Sequence, residues 1–159
     1  MRELRYKQIY CNEQALRNLQ NLRTERIKRG ITQTELSNLL SMTVDLLSSY
    51  ERGLNAPVLS NYIKLAVFFD WNLDADTNYI CYRMACNGRL KNWLQVQRGR
   101  YGYTVSEISR RLNISIQAVE PIFSKRYNRT SWPTLCRVYE LFQGEQQLEQ
   151  VRKEILKKE

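Results

Sequence analysis

Apolar residues in the first half of the chain recur at helical spacing. Leu16, Leu19, Leu22 and Ile27 mark one amphipathic segment, which Gly30 ends as a left-handed cap. Thr32 with Glu35 three residues on has the form of a capping box, opening a helix whose inner face is Leu36, Leu39 and Leu40. Ser41 and Met42 make a short break. Thr43 then caps a third helix with Leu47 and Tyr50 facing inward, and Gly53 stops it. Pro57 sits near the start of a fourth helix carrying Leu59, Ile63, Ala66 and Phe69. No segment alternates at period two, so the expected fold is all-α.

The pattern returns at an offset of 72 residues. Thr32, Glu35, Leu36, Ser37, Leu40, Thr43, Val44 and Leu47 meet Thr104, Glu107, Ile108, Ser109, Leu112, Ser115, Ile116 and Val119. Upstream, Leu22, Arg26 and Gly30 meet Leu94, Arg98 and Gly102. Downstream the offset becomes 76, where Pro57, Leu59 and Leu65 meet Pro133, Leu135 and Leu141, the extra residues falling in 125–132. Cap residues and apolar positions keep register together, which points to one supersecondary unit used twice. The turn residue of the second copy is Asn113, better suited to the left-handed conformation than Ser41. Pro121 predicts a short or bent third helix there.

The expected organisation is a domain over 1–76, a linker helix over 77–89, a second domain over 90–143 and a C-terminal helix over 144–159. Residues 71–76 read as a turn with an acidic patch, and Ile80 and Met84 form the inner side of the linker helix. In the tail, Leu148, Val151 and Ile155 lie three and four apart, a narrow stripe of the coiled-coil kind. It suits either docking on the second domain or pairing with the tail of another subunit.

Two helices joined by a tight turn inside a four- or five-helix unit is the helix-turn-helix layout. Residues 22–57, with the helix from Ser60, resemble the phage-repressor (Cro/CI, Xre-type) DNA-binding family. The residues carrying the likeness are Arg26 and Gly30, Thr32-Gln33 opening helix two, and Glu51-Arg52-Gly53 closing helix three. The likeness is weaker over 90–143, where it rests on the repeat. Two tandem lambda-repressor-like domains are the implied fold. In such folds the third helix enters the major groove and the second crosses the phosphate backbone. By matching position, Gln33 would bond a phosphate, Thr43, Val44, Asp45, Leu46 and Ser49 would form the base-facing turn and helix, and Arg52 would lie near the backbone. Val-Asp-Leu departs from the Arg, Lys, Asn or Gln that direct readout favours. Asp45 could accept from a cytosine amino group, and Leu46 could touch a thymine methyl.

Charge changes the picture in the second half. The chain has 25 Lys+Arg against 16 Asp+Glu, a net of +9. Residues 1–80 hold ten basic and nine acidic residues, whereas residues 81–159 hold fifteen and seven. Such an excess suits nucleic acid, whose counterions are released on binding. Candidate phosphate and groove contacts are Arg98, Arg100 and Tyr101 before the second copy's helix two, Arg110 and Arg111 at its end, and Lys125, Arg126 and Arg129 after its helix three. Of the positions in that copy that would face bases, only Gln117 could pair bidentately with adenine.

The chain has no histidine, which removes Ser-His-Asp and Cys-His nucleophiles and His-ligated zinc. Its four cysteines form no Cys-x-x-Cys pair. No enzyme, metal or cofactor is expected. No apolar run approaches a membrane span or a signal peptide, so a cytoplasmic protein with reduced cysteines and no membrane partner is expected. The leading expectation is a double-stranded DNA-binding transcriptional regulator of phage or mobile-element type, covering two half-sites itself or acting as a homodimer. The alternative is a phage-type inhibitor, anti-CRISPR-like, whose partner is a CRISPR nuclease or its nucleic acid. An antitoxin shares the DNA-binding half and is not separable by sequence.

Overall fold

The computed structural model describes residues 2–158. Its helices are α1 (Glu13–Gln20), α2 (Leu22–Lys28), α3 (Gln33–Leu39), α4 (Val44–Glu51), α5 (Leu59–Phe68), α6 (Thr77–Cys86), α7 (Leu90–Tyr101), α8 (Val105–Leu112), α9 (Ile116–Val119) and α10 (Trp132–Lys157). Short 3-10 turns span Arg2–Tyr6, Glu120–Phe123 and Tyr127–Arg129. The fold is all-α: among the described residues the β element is one isolated bridge between Gln8 and Val58. No described helix is long and apolar enough to cross a membrane. The chain divides into two compact units, residues 1–80 and 81–159, the division falling inside α6.

In the first unit, Leu22, Leu36, Leu47, Tyr50, Leu65 and Phe69 form the core, with Ile31, Leu40, Met42, Leu46, Phe68 and Trp71 packed around it. The capping devices form as their spacing requires. Thr32 Oγ1 accepts the Glu35 amide at 3.1 Å and its hydroxyl donates to the Glu35 carboxylate at 3.0 Å. Thr43 Oγ1 accepts the Leu46 amide at 3.1 Å. Gly30 and Gly53 carry φ of +65° and +70°, the left-handed caps that stop α2 and α4.

Three expectations are corrected. The first helix is two, α1 and α2, divided at Asn21, whose amide closes α1 on the Arg17 carbonyl. Leu16, Ile27 and Leu39 lie outside the core at 45%, 56% and 65% exposure. Helical spacing alone leaves such assignments open, and the fully buried face is set by Ala15, Leu22 and Leu36 instead. The acidic patch over 71–76 also fails at Asp76, which is buried, accepts the Tyr62 hydroxyl at 2.6 Å and accepts the Tyr79 amide near the start of α6. Burial, reinforced by that carboxylate, pushes the Tyr62 hydroxyl well above the ordinary tyrosine range.

The second unit buries Leu90, Leu94, Ile108, Val119, Ile122, Trp132, Leu135, Val138 and Phe142. Its local devices match those of the first at the same offset. Gly102 has φ +67°, Asn113 has φ +53° against +54° for Ser41, and Thr104 and Ser115 accept the Glu107 and Ala118 amides. The Tyr103 amide returns to the Arg98 carbonyl as the Ile31 amide does to Arg26. Pro121 has the expected effect: α9 lasts four residues and passes into a 3-10 turn over Glu120–Phe123. The expected separate helix over 144–159 is not separate. Helix α10 runs unbroken through Gly144 for 26 residues, because a single glycine weakens a helix by only about 1 kcal/mol and does not stop one.

The two units differ at the end of their last core helix. In the first, Arg29 donates to the Phe68 and Phe69 carbonyls at 3.2 and 3.0 Å, tying off the carbonyls that end α5. Asp70 then turns away at φ +53°. The residue 72 places after Arg29 is Tyr101. Its ring lies parallel to Phe142 and its hydroxyl reaches Glu149, so it supports a helix that continues.

Candidate nucleic-acid interface

The turn between α3 and α4 runs over Leu40–Thr43, with Ser41 in the left-handed region. One polar side chain ties α5 to this turn, and another is satisfied inside α3. Lys64 Nζ donates to the Leu40 carbonyl at 2.9 Å. The Ser37 hydroxyl, 1% exposed, donates to the Thr34 carbonyl at 2.9 Å. The capped N-terminal turn of α4 therefore presents Thr43, Val44 and Asp45 to solvent from a fixed scaffold.

At the other end of α4 an ion pair joins its last residue to α2. Arg26 Nε and Nη2 donate to the Glu51 carboxylate at 2.9–3.1 Å, and Nη1 donates to the Ile31 carbonyl at 2.9 Å. The two side chains are 11% and 1% exposed. Gln33, the first residue of α3, donates to the same carboxylate at 3.4 Å. This pair floors an open depression of about 830 Å³ whose walls include Arg23, Ile27, Gly30, Gln33, Ser48 and Arg52. Arg23 and Arg52 are exposed at its rim. Two cations thus flank the amide-bearing start of α3, an arrangement suited to a phosphate.

Of the remaining residues singled out in this unit, Leu46 is half-buried and packs on the core. Ser49 is 8% exposed, with its hydroxyl on the Leu46 carbonyl at 2.7 Å and the Asn55 amide on its oxygen. Burial removes Ser49 from the surface that Thr43, Val44 and Asp45 share.

In the second unit the residues of interest sort into two groups. Arg98 donates to the Tyr103 carbonyl at 3.0 Å and lies 5.0 Å from the Phe123 ring centre. Arg100 reaches both Glu149 oxygens at 2.9 Å, and Tyr101 donates to Glu149 at 3.0 Å. These donors hold the Glu149 carboxyl below the usual glutamate range, the Tyr101 bond contributing most. Arg111 pairs with Glu145 at 3.6 Å and lies 4.5 Å from the Tyr103 ring centre. Arg126 pairs with Glu120 at 2.7 Å, and Arg137 donates to the Leu112 carbonyl. The second group is Arg110, Gln117, Lys125 and Arg129, all exposed. Gln117 stands in the first turn of α9, capped by Ser115, and Lys125 and Arg129 lie in the segment that follows it.

Sequence reasoning missed Glu51 as the partner of Arg26, and it missed Arg23, Glu145 and Glu149. The repeat held one usable signal. The residue 72 places after Glu51 is Phe123, and the arginine 72 places after Arg26 is Arg98. The same guanidinium position meets a carboxylate in one unit and an aromatic face in the other.

Residues 22–74 match the helix-turn-helix family. No curated protein and no solved structure matches the chain.

Proposed function

We propose that the chain is a double-stranded DNA-binding transcriptional regulator of phage or mobile-element type that performs no catalysis, with residues 90–143 acting as a second helix-turn-helix copy. The observation that carries this reading is the first turn of α4. It is capped by Thr43 and open to solvent, while the last turn of the same helix is held by the Arg26–Glu51 pair beside Gln33, Arg23 and Arg52. A helix so presented fits the major groove, while the start of α3 meets the phosphate backbone.

The two units divide the work. The first contributes shape and selective contacts: Asp45 for a cytosine amino group and Val44 for a thymine methyl. The second contributes Gln117 for adenine, with Arg110, Lys125 and Arg129 on phosphates. Arg98 acts within the unit, on the Tyr103 carbonyl and the Phe123 ring, whereas Arg100, Arg111 and Arg126 stay largely exposed in surface pairs that open readily to a phosphate.

Competition binding tests the reading. The full chain binds a labelled duplex and is displaced by unlabelled duplex at least about tenfold more effectively than by single-stranded DNA or RNA of equal length, since A-form and single strands lack a groove that admits α4. Equal displacement by all three contradicts it.

A further inference from the structure

Helix α10 outruns its counterpart in the first unit. At the offset of 76 that aligns the two last core helices, the end of α5 at Phe68 falls on Gly144. Beyond Phe142 no described residue of α10 is buried. The stretch after Gly144 is held to its unit by polar contacts. Glu145 pairs with Arg111 at 3.6 Å and accepts the Tyr103 hydroxyl. Gln146 Nε2 donates to Gln97 Oε1 at 3.1 Å, and Glu149 accepts Arg100 Nη2 at 2.9 Å and the Tyr101 hydroxyl at 3.0 Å. Arg100 and Arg111 remain 47% and 43% exposed, and ion pairs this open to water hold weakly. A helix docked in this way exchanges its contacts with other anions, as one docked on buried apolar side chains does not.

The two carboxylates stand one helical turn apart, ~6 Å along the axis, and each takes one arginine and one tyrosine. Guanidinium and hydroxyl donors are also the groups that hold the phosphates of a nucleic-acid strand. We propose that the stretch after Gly144 is an autoinhibitory strap, whose Glu145 and Glu149 occupy Arg111, Tyr103, Arg100 and Tyr101 in place of the phosphates of a duplex. The proposal rests on the reading of the second unit as a grip on the duplex backbone. Binding then swaps a carboxylate for a phosphate on the same donors, so Arg100 and Arg111 add little to the affinity of the parent chain. Neutralising the strap turns the swap into a net gain.

Fluorescence anisotropy of the full chain on a labelled duplex at low salt tests the strap. Glu149→Gln tightens binding about fivefold, the scale of one surface ion pair. It keeps an oxygen for the Tyr101 hydroxyl, so far-UV circular dichroism stays that of the parent. Glu154→Gln removes the same charge from an exposed position and tightens binding less than about twofold. Arg100→Ala costs the parent less than about twofold, but in the Glu149→Gln chain it removes the whole gain. Equal tightening by Glu149→Gln and Glu154→Gln, no tightening by either, or the same Arg100→Ala loss in both backgrounds overturns the strap. Elution from heparin, a polyanion without a groove, separates this outcome from failure of the duplex reading. Later elution of Glu149→Gln than of Glu154→Gln upholds the strap even where a duplex competes no better than single strands, and co-elution of the two overturns it.

Discussion

Replacing Glu51 by alanine is expected to lower the unfolding free energy of the first unit by about 3–5 kcal/mol, the usual cost of leaving one member of a buried ion pair without its partner. Arg26 would keep the Ile31 carbonyl but lose its charge-assisted hydrogen bonds to the carboxylate, at a site where its side chain is 11% exposed. Gln33 would lose its acceptor as well. Urea unfolding followed through Trp71, with Trp93 and Trp132 replaced by phenylalanine in the parent protein, reports on this unit. The double change Arg26→Met with Glu51→Leu recovers most of the loss, because apolar residues of similar volume replace buried ion pairs at little cost. A single Glu51→Ala change costing under about 1 kcal/mol would show that water screens the pair, as it does for surface pairs.

The second large effect concerns binding. Lys125→Ala with Arg129→Ala is expected to make the slope of log affinity against log salt shallower by about 2, at roughly 0.9 for each phosphate that is no longer neutralised. The loss is uniform across duplex sequences, since phosphate contacts carry no base information. Arg98→Ala behaves differently. Its guanidinium serves the Tyr103 carbonyl and the Phe123 ring, so the change lowers the melting temperature of the second unit while the folded fraction keeps its salt slope. Fluorescence anisotropy over a salt series, with melting curves for each variant, separates the two outcomes.

Local rules account for much of the fold. The helix starts at Thr32, Thr43, Thr104 and Ser115, the left-handed stops at Gly30 and Gly53, and the shortened helix before Pro121 follow from residue chemistry within a turn or two. Long-range partners are not legible in that way. Helical spacing marks a stripe but not which edge of it the core covers, so it places Leu16, Ile27 and Leu39 inward although they face solvent. Asp76 reads in sequence as a surface acid, and only the distant Tyr62 hydroxyl accounts for its burial.

The basic half teaches the same lesson about the site. Counting charges locates an excess, but a count cannot show which arginines are already engaged. Glu145 and Glu149 take up Arg111 and Arg100 because α10 passes through Gly144 and carries them back over α7 and α8. Arg29 and Tyr101, 72 residues apart, make different contacts at the ends of their helices. The arginine ties off the carbonyls that end one helix, and the tyrosine braces the helix that continues.

Selection from a random duplex pool tests most directly whether the first turn of α4 reads duplex DNA. The full chain should enrich a defined motif, and Val44→Ala with Asp45→Ala should change the preferred bases within that motif while leaving the protein folded. If no motif is enriched, or if the altered α4 selects the same bases as the parent, α4 is not a reader of DNA.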